Sequence, residues 1–482
     1  MLSFHLACKP PQSWAEESFA QAPLGDRRRG QRAVTVGCAM ADQPGTSIPD
    51  LFDDPYDIKA AYNLFDRPES TPDRLQAPHR AAVRRQLQEA GQTFLLLSDT
   101  SECSWSGNQP IAGLGPIGSG RKGLQGFLLH STLAVRWPAA STCASRPPLE
   151  ILGLADQLYE VRRPRPRGES RSDSRARKSR PRESHLWQTH CRRLGPATAG
   201  VRWVEVCDRG ADIYEFLAEC QAQGHGFVVR AGQDRALAAE DGTKAAEPLF
   251  TAARRAPVLG HFELHLRERK QQPARTAQLA VSAASVRLRA PWRPGHGPGF
   301  FPALACTVVR VFEVDVPENA KEPLEWILLT DAVVEHFEQG LEVALQYNAR
   351  WLIEEFHKGL KTGLGAERLQ LETAARLFAA IAIMSLVALR LIDLREVLRV
   401  EPEAPADTAG VLSPLELQVL RARLKRPIQT VREMALALGR LGGHMNRKAD
   451  GLPGWQTLWR GMKKLRLLVQ GVLLTKELPQ FG

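Results

Sequence analysis

The stretch Val201-Arg-Trp-Val-Glu-Val-Cys207-Asp208-Arg-Gly-Ala-Asp212, with Gly226-Phe-Val-Val-Arg230 a short way on, decides the fold class. Residues 201–206 alternate and are rich in β-formers, and they run into an acid, Asp208. Residues 213–220 carry a helical pattern, and 226–230 read as a second strand. Strand, helix, strand in that order predicts an α/β layer.

Working outward, Phe94-Leu-Leu-Leu-Ser98-Asp99 is a short apolar run. It predicts a buried strand with Asp99 at its C-terminal edge, and 126–135 predict a hairpin partner. The intervening Gly113-Leu-Gly115-Pro-Ile-Gly118 matches a dinucleotide-binding pattern only formally: Pro116 interrupts it and no helix follows. Residues 258–330 read mostly as strand, a β-rich insertion. Helical pattern covers 334–399, a Pro/Ala/Glu-rich linker spans 401–408, and 412–476 form a small helical unit.

The chain has 482 residues, 64 Lys and Arg against 53 Asp and Glu, and a net charge of +11, which favours a polyanionic partner. Hydrophobic content of 43% and charged content of 24% exclude a disordered or collagen-like chain. The eight cysteines include no C-x-x-C, which argues against a zinc ribbon or a thioredoxin-like motif and predicts free thiols in a reducing compartment. Residues 1–16 lack an apolar signal core, so no secretory signal is expected. The longest uncharged apolar run, 377–389, has 13 residues, short of the roughly 20 needed to span a bilayer, so a buried core helix and no membrane partner are expected.

Two basic segments stand out. Residues 13–75 read as helical and basic, with Leu24-Gly-Asp-Arg-Arg-Arg29 followed by Arg32. Arg28, Arg29 and Arg32 fit either phosphate contact or a solvated face. Residues 162–182 hold ten Arg and Lys and two acids among Pro and Ser, a composition for a loop that lies on DNA or in solvent.

The chemistry concentrates in residues 341–361, read as one helix. At about 100° per residue, Tyr347, Arg350, Glu354 and Lys361 share a stripe about 60° wide, with Lys358 beside it. Such a stripe suits a metal-holding carboxylate flanked by phosphate-gripping cations, or an exposed face with an Arg350–Glu354 pair. Asp99 and Asp208 at strand ends and Glu354 on a late helix form an ordered set of three oxygen donors for two Mg²⁺ ions in phosphoryl transfer.

With these motifs the chain resembles DDE transposases of the bacterial insertion-sequence type, in the transposon-five-like subgroup. The segments that carry the resemblance are 24–29, Ser98-Asp99-Thr100, 207–212, Trp326-Ile-Leu-Leu-Thr330, the signature Tyr347-x-x-Arg350-Trp-x-x-Glu354-Glu-Phe-His-Lys358-x-x-Lys361, and Arg440-Leu-Gly-Gly443 with Gly454-Trp455-x-x-Leu-Trp459-x-Gly461. They span roughly residues 13–475.

The resemblance implies an α/β protein in three parts: a helical domain that binds DNA ends over 1–75, an RNase H-like catalytic domain over 76–400, and a helical dimerisation domain over 401–482. The catalytic part would carry a β-rich insertion at about 235–330 and a basic loop at about 160–185. Asp99, Asp208 and Glu354 are implied as catalytic metal ligands for two Mg²⁺ ions, with Mn²⁺ able to substitute. Arg28, Arg29, Arg32, Trp326, Tyr347, Arg350, Lys358 and Lys361 are implied as DNA contacts, Trp326 stacking on a flipped base. The implied partners are double-stranded DNA, as terminal repeats and target, and a second copy of the chain. The implied location is cytoplasmic and nucleoid-associated. Two other readings stay open: a non-catalytic regulator that binds element ends, and a nuclease that only hydrolyses.

Overall fold

The structure, a computed structural model, describes residues 5–107, 110–118, 123–138, 146–163, 183–241, 243–266, 275–292, 301–316, 323–447 and 450–477. Most of the expected basic loop, 164–182, lies outside the described residues.

Five helices lead the chain: α1 (Pro11–Phe19), α2 (Arg27–Asp42), α3 (Pro55–Phe65), α4 (Pro72–Leu75) and α5 (Ala77–Gln86). Local chemistry sets their starts. Asp26, Asp54 and Thr71 cap α2, α3 and α4 by accepting from backbone N–H groups, and α1, α3 and α4 begin with proline.

Twelve strands follow: β1 (Thr93–Ser106), β2 (Gly115–Pro116), β3 (Leu124–Trp137), β4 (Glu150–Glu160), β5 (Arg202–Cys207), β6 (Gly226–Arg230), β7 (Ala236–Ala238), β8 (Lys244–Pro248), β9 (Val258–Leu266), β10 (Arg275–Leu288), β11 (Leu304–Glu313) and β12 (Glu325–Thr330). They make one mixed sheet in the order β2-β3-β1-β5-β6-β12-β11-β10-β7-β8, with β4 on β3 and β9 on β10. β1, β5 and β6 run parallel, and the β1–β3–β4 meander is antiparallel. The expected α/β class therefore holds. The glycine-rich stretch supplies β2, a short partner of β3, in place of a helix start. The β-rich insertion continues the same sheet, because β12 pairs with β6 through Leu328–Thr330.

Helices cover both faces. On one side lie α6 (His185–Leu194) and α7 (Tyr214–Ala222), while α8 (Leu249–Arg255) packs on β10 and β11. On the other lie α9 (Phe337–Ala349), α10 (Trp351–Lys358) and α11 (Ala374–Val400). The strand alternation sorts side chains accordingly. Leu95, Leu97, Val204 and Val206 join the large core with α9–α11, whereas Phe94, Leu96 and Trp203 lie in a cluster on the opposite face.

The large core runs from Trp14 and Phe19 of α1 to Leu458 and Leu465 of α14 (Trp455–Glu477), so the three expected regions pack through shared apolar contacts. Between α11 and α14 lie α12 (Pro414–Leu424) and α13 (Val431–Leu441), each opened by a capping box. A Cβ at Gly442 would stand 1.9 Å from the Thr457 carbonyl oxygen, and one at Gly461 1.9 Å from that of Leu438. The glycines of the C-terminal motif thus let two backbones touch. The 401–408 segment is less of a linker than expected: Ala406 is buried and its N–H donates to the Gln429 carbonyl at 2.7 Å.

α11 differs from its sequence reading in length. It has 27 residues, and 94% of its most apolar 18-residue window is buried inside the protein. It passes the uncharged run by burying charges with partners. Asp393 accepts from Ala7 N at 2.9 Å and contacts the His5 ring at 2.9 Å, and Glu396 takes Arg146 at 3.0 and 3.1 Å. Arg390 donates to the Lys9 carbonyl at 2.7 Å with its guanidinium 5.0 Å from the Trp14 ring.

Candidate active site

The last parallel pair between β1 and β5 is Ser98 with Cys207. Asp99 and Asp208 are the next residues on strands about 4.8 Å apart, on the face of Leu97 and Val206. The sequence expectation that the strand ends at Asp99 is overturned. β1 continues to Ser106 because β3 pairs with it along its whole length, from Thr93 with Trp137 to Ser106 with Leu124. It is β5 that stops, as Asp208 caps a short 3₁₀ turn with Oδ1 accepting from Gly210 N at 2.8 Å. Asp99 Oδ1 accepts from Thr100 N at 2.8 Å. Burial, and then the neighbouring Asp208 charge, push the Asp99 carboxyl up to about 6.

Glu354 comes from α10, which packs against β1. The single regular helix expected over 341–361 is not observed. Arg350 joins α9 to α10 through tight turns, its N–H donating to the Tyr347 carbonyl and Ile353 N–H donating to its own carbonyl, both at 3.1 Å. After Lys358 the helix widens into a π turn, Gly359–Gly363, closed by Leu364 N to the Gly359 carbonyl at 2.8 Å. The turn at Arg350 keeps the Arg350–Glu354 pair, while the π turn breaks the stripe geometry beyond Glu354. Lys361 donates instead to the Glu102 carbonyl at 2.6 Å and pairs with Glu367 at 3.3 Å, locking the π turn to the far half of β1. Lys358 is exposed.

Arg350 links the acids. Its guanidinium bonds to Glu354 and lies 3.9 Å from Asp99 Oδ2. It also stands 5.8 Å from the Tyr347 ring, which meets the half-buried Trp326 edge to face at 5.5 Å. Trp326, Tyr347, Arg350, Glu354 and Asp99 therefore form one continuous line of contacts, in which Tyr347 is buried. Among the described residues, the only three-residue group whose potential metal-ligand atoms all lie within 4.8 Å of one another is Cys191, Glu205 and His225. Asp99, Asp208 and Glu354 are neighbours with Arg350 between two of them, not a closed cage.

The second acid of the 207–212 motif has another task. Asp212 is buried and accepts from Gly232 N, Gln233 N and Arg235 Nε at 2.7 to 2.9 Å, which holds the turn after β6.

At the N-terminal region, Arg27, Arg28 and Arg29 occupy the first turn of α2, where three cations face the capping carboxylate of Asp26 and Glu69, which pairs with Arg29. Cations at a helix N-terminus oppose the macrodipole, a cost of about 0.3–1 kcal/mol each, which favours an anionic partner at that end. Arg28 is exposed. Arg29 is tied down by Glu69 at 2.9 Å and the Leu24 carbonyl at 2.8 Å, and Arg32 by Asp57.

The sequence reading missed a buried polar system behind β5. Glu205 is fully buried and contacts both His190 and His225, at 3.0 and 3.1 Å. Its signal was there: a glutamate in the interior of an apolar parallel strand demands buried partners.

Residues 11–69 match the family model for transposase DNA-binding domains. The match covers α1, α2 and α3 and includes Arg28, Arg29 and Arg32. It supports a transposase that binds DNA.

Proposed function

We propose that the chain is a DDE-type transposase that cuts and rejoins DNA by metal-dependent phosphoryl transfer, on an RNase H-like core. The carrying observation is the convergence of Asp99 and Asp208, from adjacent parallel strands, on the helix that bears Glu354. The meander β1–β3–β4 followed by parallel β5 and β6 supports the RNase H-like reading.

The donor set fits hard divalent cations. All three groups supply oxygen, and Asp99, raised by burial and then by the Asp208 charge, is a carboxylate that a bound cation would relieve. Two Mg²⁺ ions, or Mn²⁺, held by Asp99, Asp208 and Glu354 would activate the attacking oxygen and stabilise the leaving one. The remaining steps fall to the chain's own residues. Arg350, which here pairs with Glu354 and stands 3.9 Å from Asp99, is the cation placed to turn toward a DNA phosphate. Lys358, exposed one turn beyond Glu354, grips the backbone near the cut. The half-buried Trp326 ring, backed edge to face by buried Tyr347, is the ring placed to meet a base displaced during hairpin formation. The α2 arginines read the element's terminal repeat. Exposed Leu467 and Leu474, seven residues apart on one side of α14, supply an apolar contact for a second copy in a nucleoid-associated complex.

Glu354→Gln tests the reading. Mg²⁺-dependent nicking and strand transfer on an end-containing DNA should vanish while gel-shift binding persists; undiminished cleavage sinks it. A regulator that binds without cutting draws on the same Arg350, since a permanent Arg350 bridge would leave no room for cations. Wild-type protein that binds ends but yields no cleavage in Mg²⁺ or Mn²⁺ would favour it.

A further inference from the structure

On the face of the sheet opposite Asp208, four chain segments bring metal-binding side chains to one buried point. Cys191 comes from α6, Glu205 from β5, Cys220 from α7, and His225 from the residue before β6. All four are buried. The ligand atoms of Cys191, Glu205 and His225 lie within 4.8 Å of one another, while the Cys220 thiol interacts with that of Cys191 from outside this group.

The hydrogen-bond chemistry leaves a gap at the centre of this group. His225 Nε2 lies 2.9 Å from the Gly195 carbonyl, which only accepts, so Nε2 carries a proton. In neutral imidazole, Nδ1 is then a lone pair. It faces Glu205 Oε1 at 3.1 Å and Cys191 Sγ at 3.7 Å. A lone pair, a carboxylate oxygen and a sulfur pointed at one another favour positive charge among them, which a proton on Nδ1 or a bound metal cation would supply. The outer contacts are already in place. His190 Nε2 meets Glu205 Oε2 at 3.0 Å, while His190 Nδ1 meets Thr132 Oγ1 at 3.0 Å, which orients the carboxylate.

We propose that Cys191, Cys220, His225 and Glu205 form a structural zinc site. A tetrahedral zinc with bonds of about 2.3 Å to sulfur and about 2.0–2.1 Å to nitrogen and oxygen separates S from N by about 3.6 Å and N from O by about 3.4 Å. The observed 3.7 and 3.1 Å need only small shifts to meet those spacings. Cys191, Glu205 and His225 are already grouped and the buried Cys220 thiol must close in as the fourth ligand; four protein ligands and full burial would then leave no open coordination position, so the ion would pin elements and perform no chemistry. It ties α6 and α7 to β5, three residues before Asp208. The motif escapes a spacing search because its ligands fall at 191, 205, 220 and 225, with no C-x-x-C.

The test uses the full-length chain purified without a metal-affinity tag. Elemental analysis after gel filtration should give one zinc per chain. Treatment with a chelator and then Co²⁺ should yield the visible bands of tetrahedral cobalt with a thiolate charge-transfer band near the ultraviolet. Cys191→Ser and His225→Gln should lose the zinc, and Asp99→Asn should keep it, which separates this site from the carboxylate cluster. The cobalt spectrum needs no variant, so misfolding of a variant cannot mask the result. Zinc-free protein from zinc-supplemented cells, with no thiolate–cobalt band and no rise in melting temperature on adding Zn²⁺, overturns the proposal. In that outcome the cluster is a protonated His225 held between Glu205 and Cys191.

Discussion

Replacing Asp99 with asparagine should make the metal-free protein more stable. The carboxyl sits at about 6 in the folded chain against an ordinary 3.8, raised by burial and then by Asp208. At about 1.4 kcal/mol per unit, keeping Asp99 ionised at neutral pH costs the fold about 3 kcal/mol. Asparagine preserves the shape and can still accept from Thr100 N, so it removes the charge with little else. An unfolding entropy of about 2.1 cal/mol/K per residue over 482 residues is about 1 kcal/mol/K, so the melting temperature should rise by about 3 °C.

The pH dependence has a definite sign. A raised carboxyl binds its proton more tightly in the native state, so its penalty is full above about pH 6 and gone below about 3.8. Differential scanning fluorimetry in EDTA should therefore show Asp99→Asn ahead of wild type at pH 7.5, and the two converging near pH 4. Mg²⁺ should stabilise wild type and leave the variant nearly unmoved. Equal or lower melting of the variant at pH 7.5, or a gain that persists at pH 4, would refute the electrostatic reading of the cluster.

Other outcomes follow from the same contacts. Arg28→Ala should weaken DNA binding and lower the salt slope of log K by about 1 without changing the melting temperature, whereas Arg29→Ala should lower both, because Glu69 loses its partner. Salt titrations of a gel shift beside melting curves separate the two. Glu396→Gln should destabilise by about 3–5 kcal/mol in urea titrations, since it strips the only buried carboxylate from Arg146 among the described contacts. Arginines hold Glu396 below the ordinary glutamate value against the cost of burial, so its stabilisation is present above that value and lost as pH falls through the lowered one.

Local signals carried the sequence reading a long way. Alternation and β-branching found β5, β6, β10 and β12, and the three acids come to one region as their strand-and-helix order implied. What failed were inferences that need a partner from elsewhere in the chain. β1 was cut short at Asp99 because polar residues 98–106 look like a loop until β3 supplies their hydrogen bonds. The stripe to Lys361 assumed a uniform helix, and the π turn is fixed by Glu102 and Glu367, which no helical wheel contains. The Arg350 link to Asp99 and the Cys191, Glu205 and His225 group are likewise products of the fold, invisible to spacing.

The contacts that seat the N-terminal segment on α11 have a bearing on timing. His5 and Asp393 lie 388 positions apart, and Lys9 and Arg390 lie 381 apart. A ribosome adding about 5–20 residues per second needs about 20–80 s to travel between such partners. For that interval in every round of synthesis the first helices have left the exit tunnel and the helix they dock against does not yet exist. Their arginines meet nucleic acid, if at all, from an unsupported scaffold, and their apolar undersides are open to whatever holds nascent chains. The newborn protein thus passes through a stage in which its basic first helices are exposed and the helix that seats them is still unwritten.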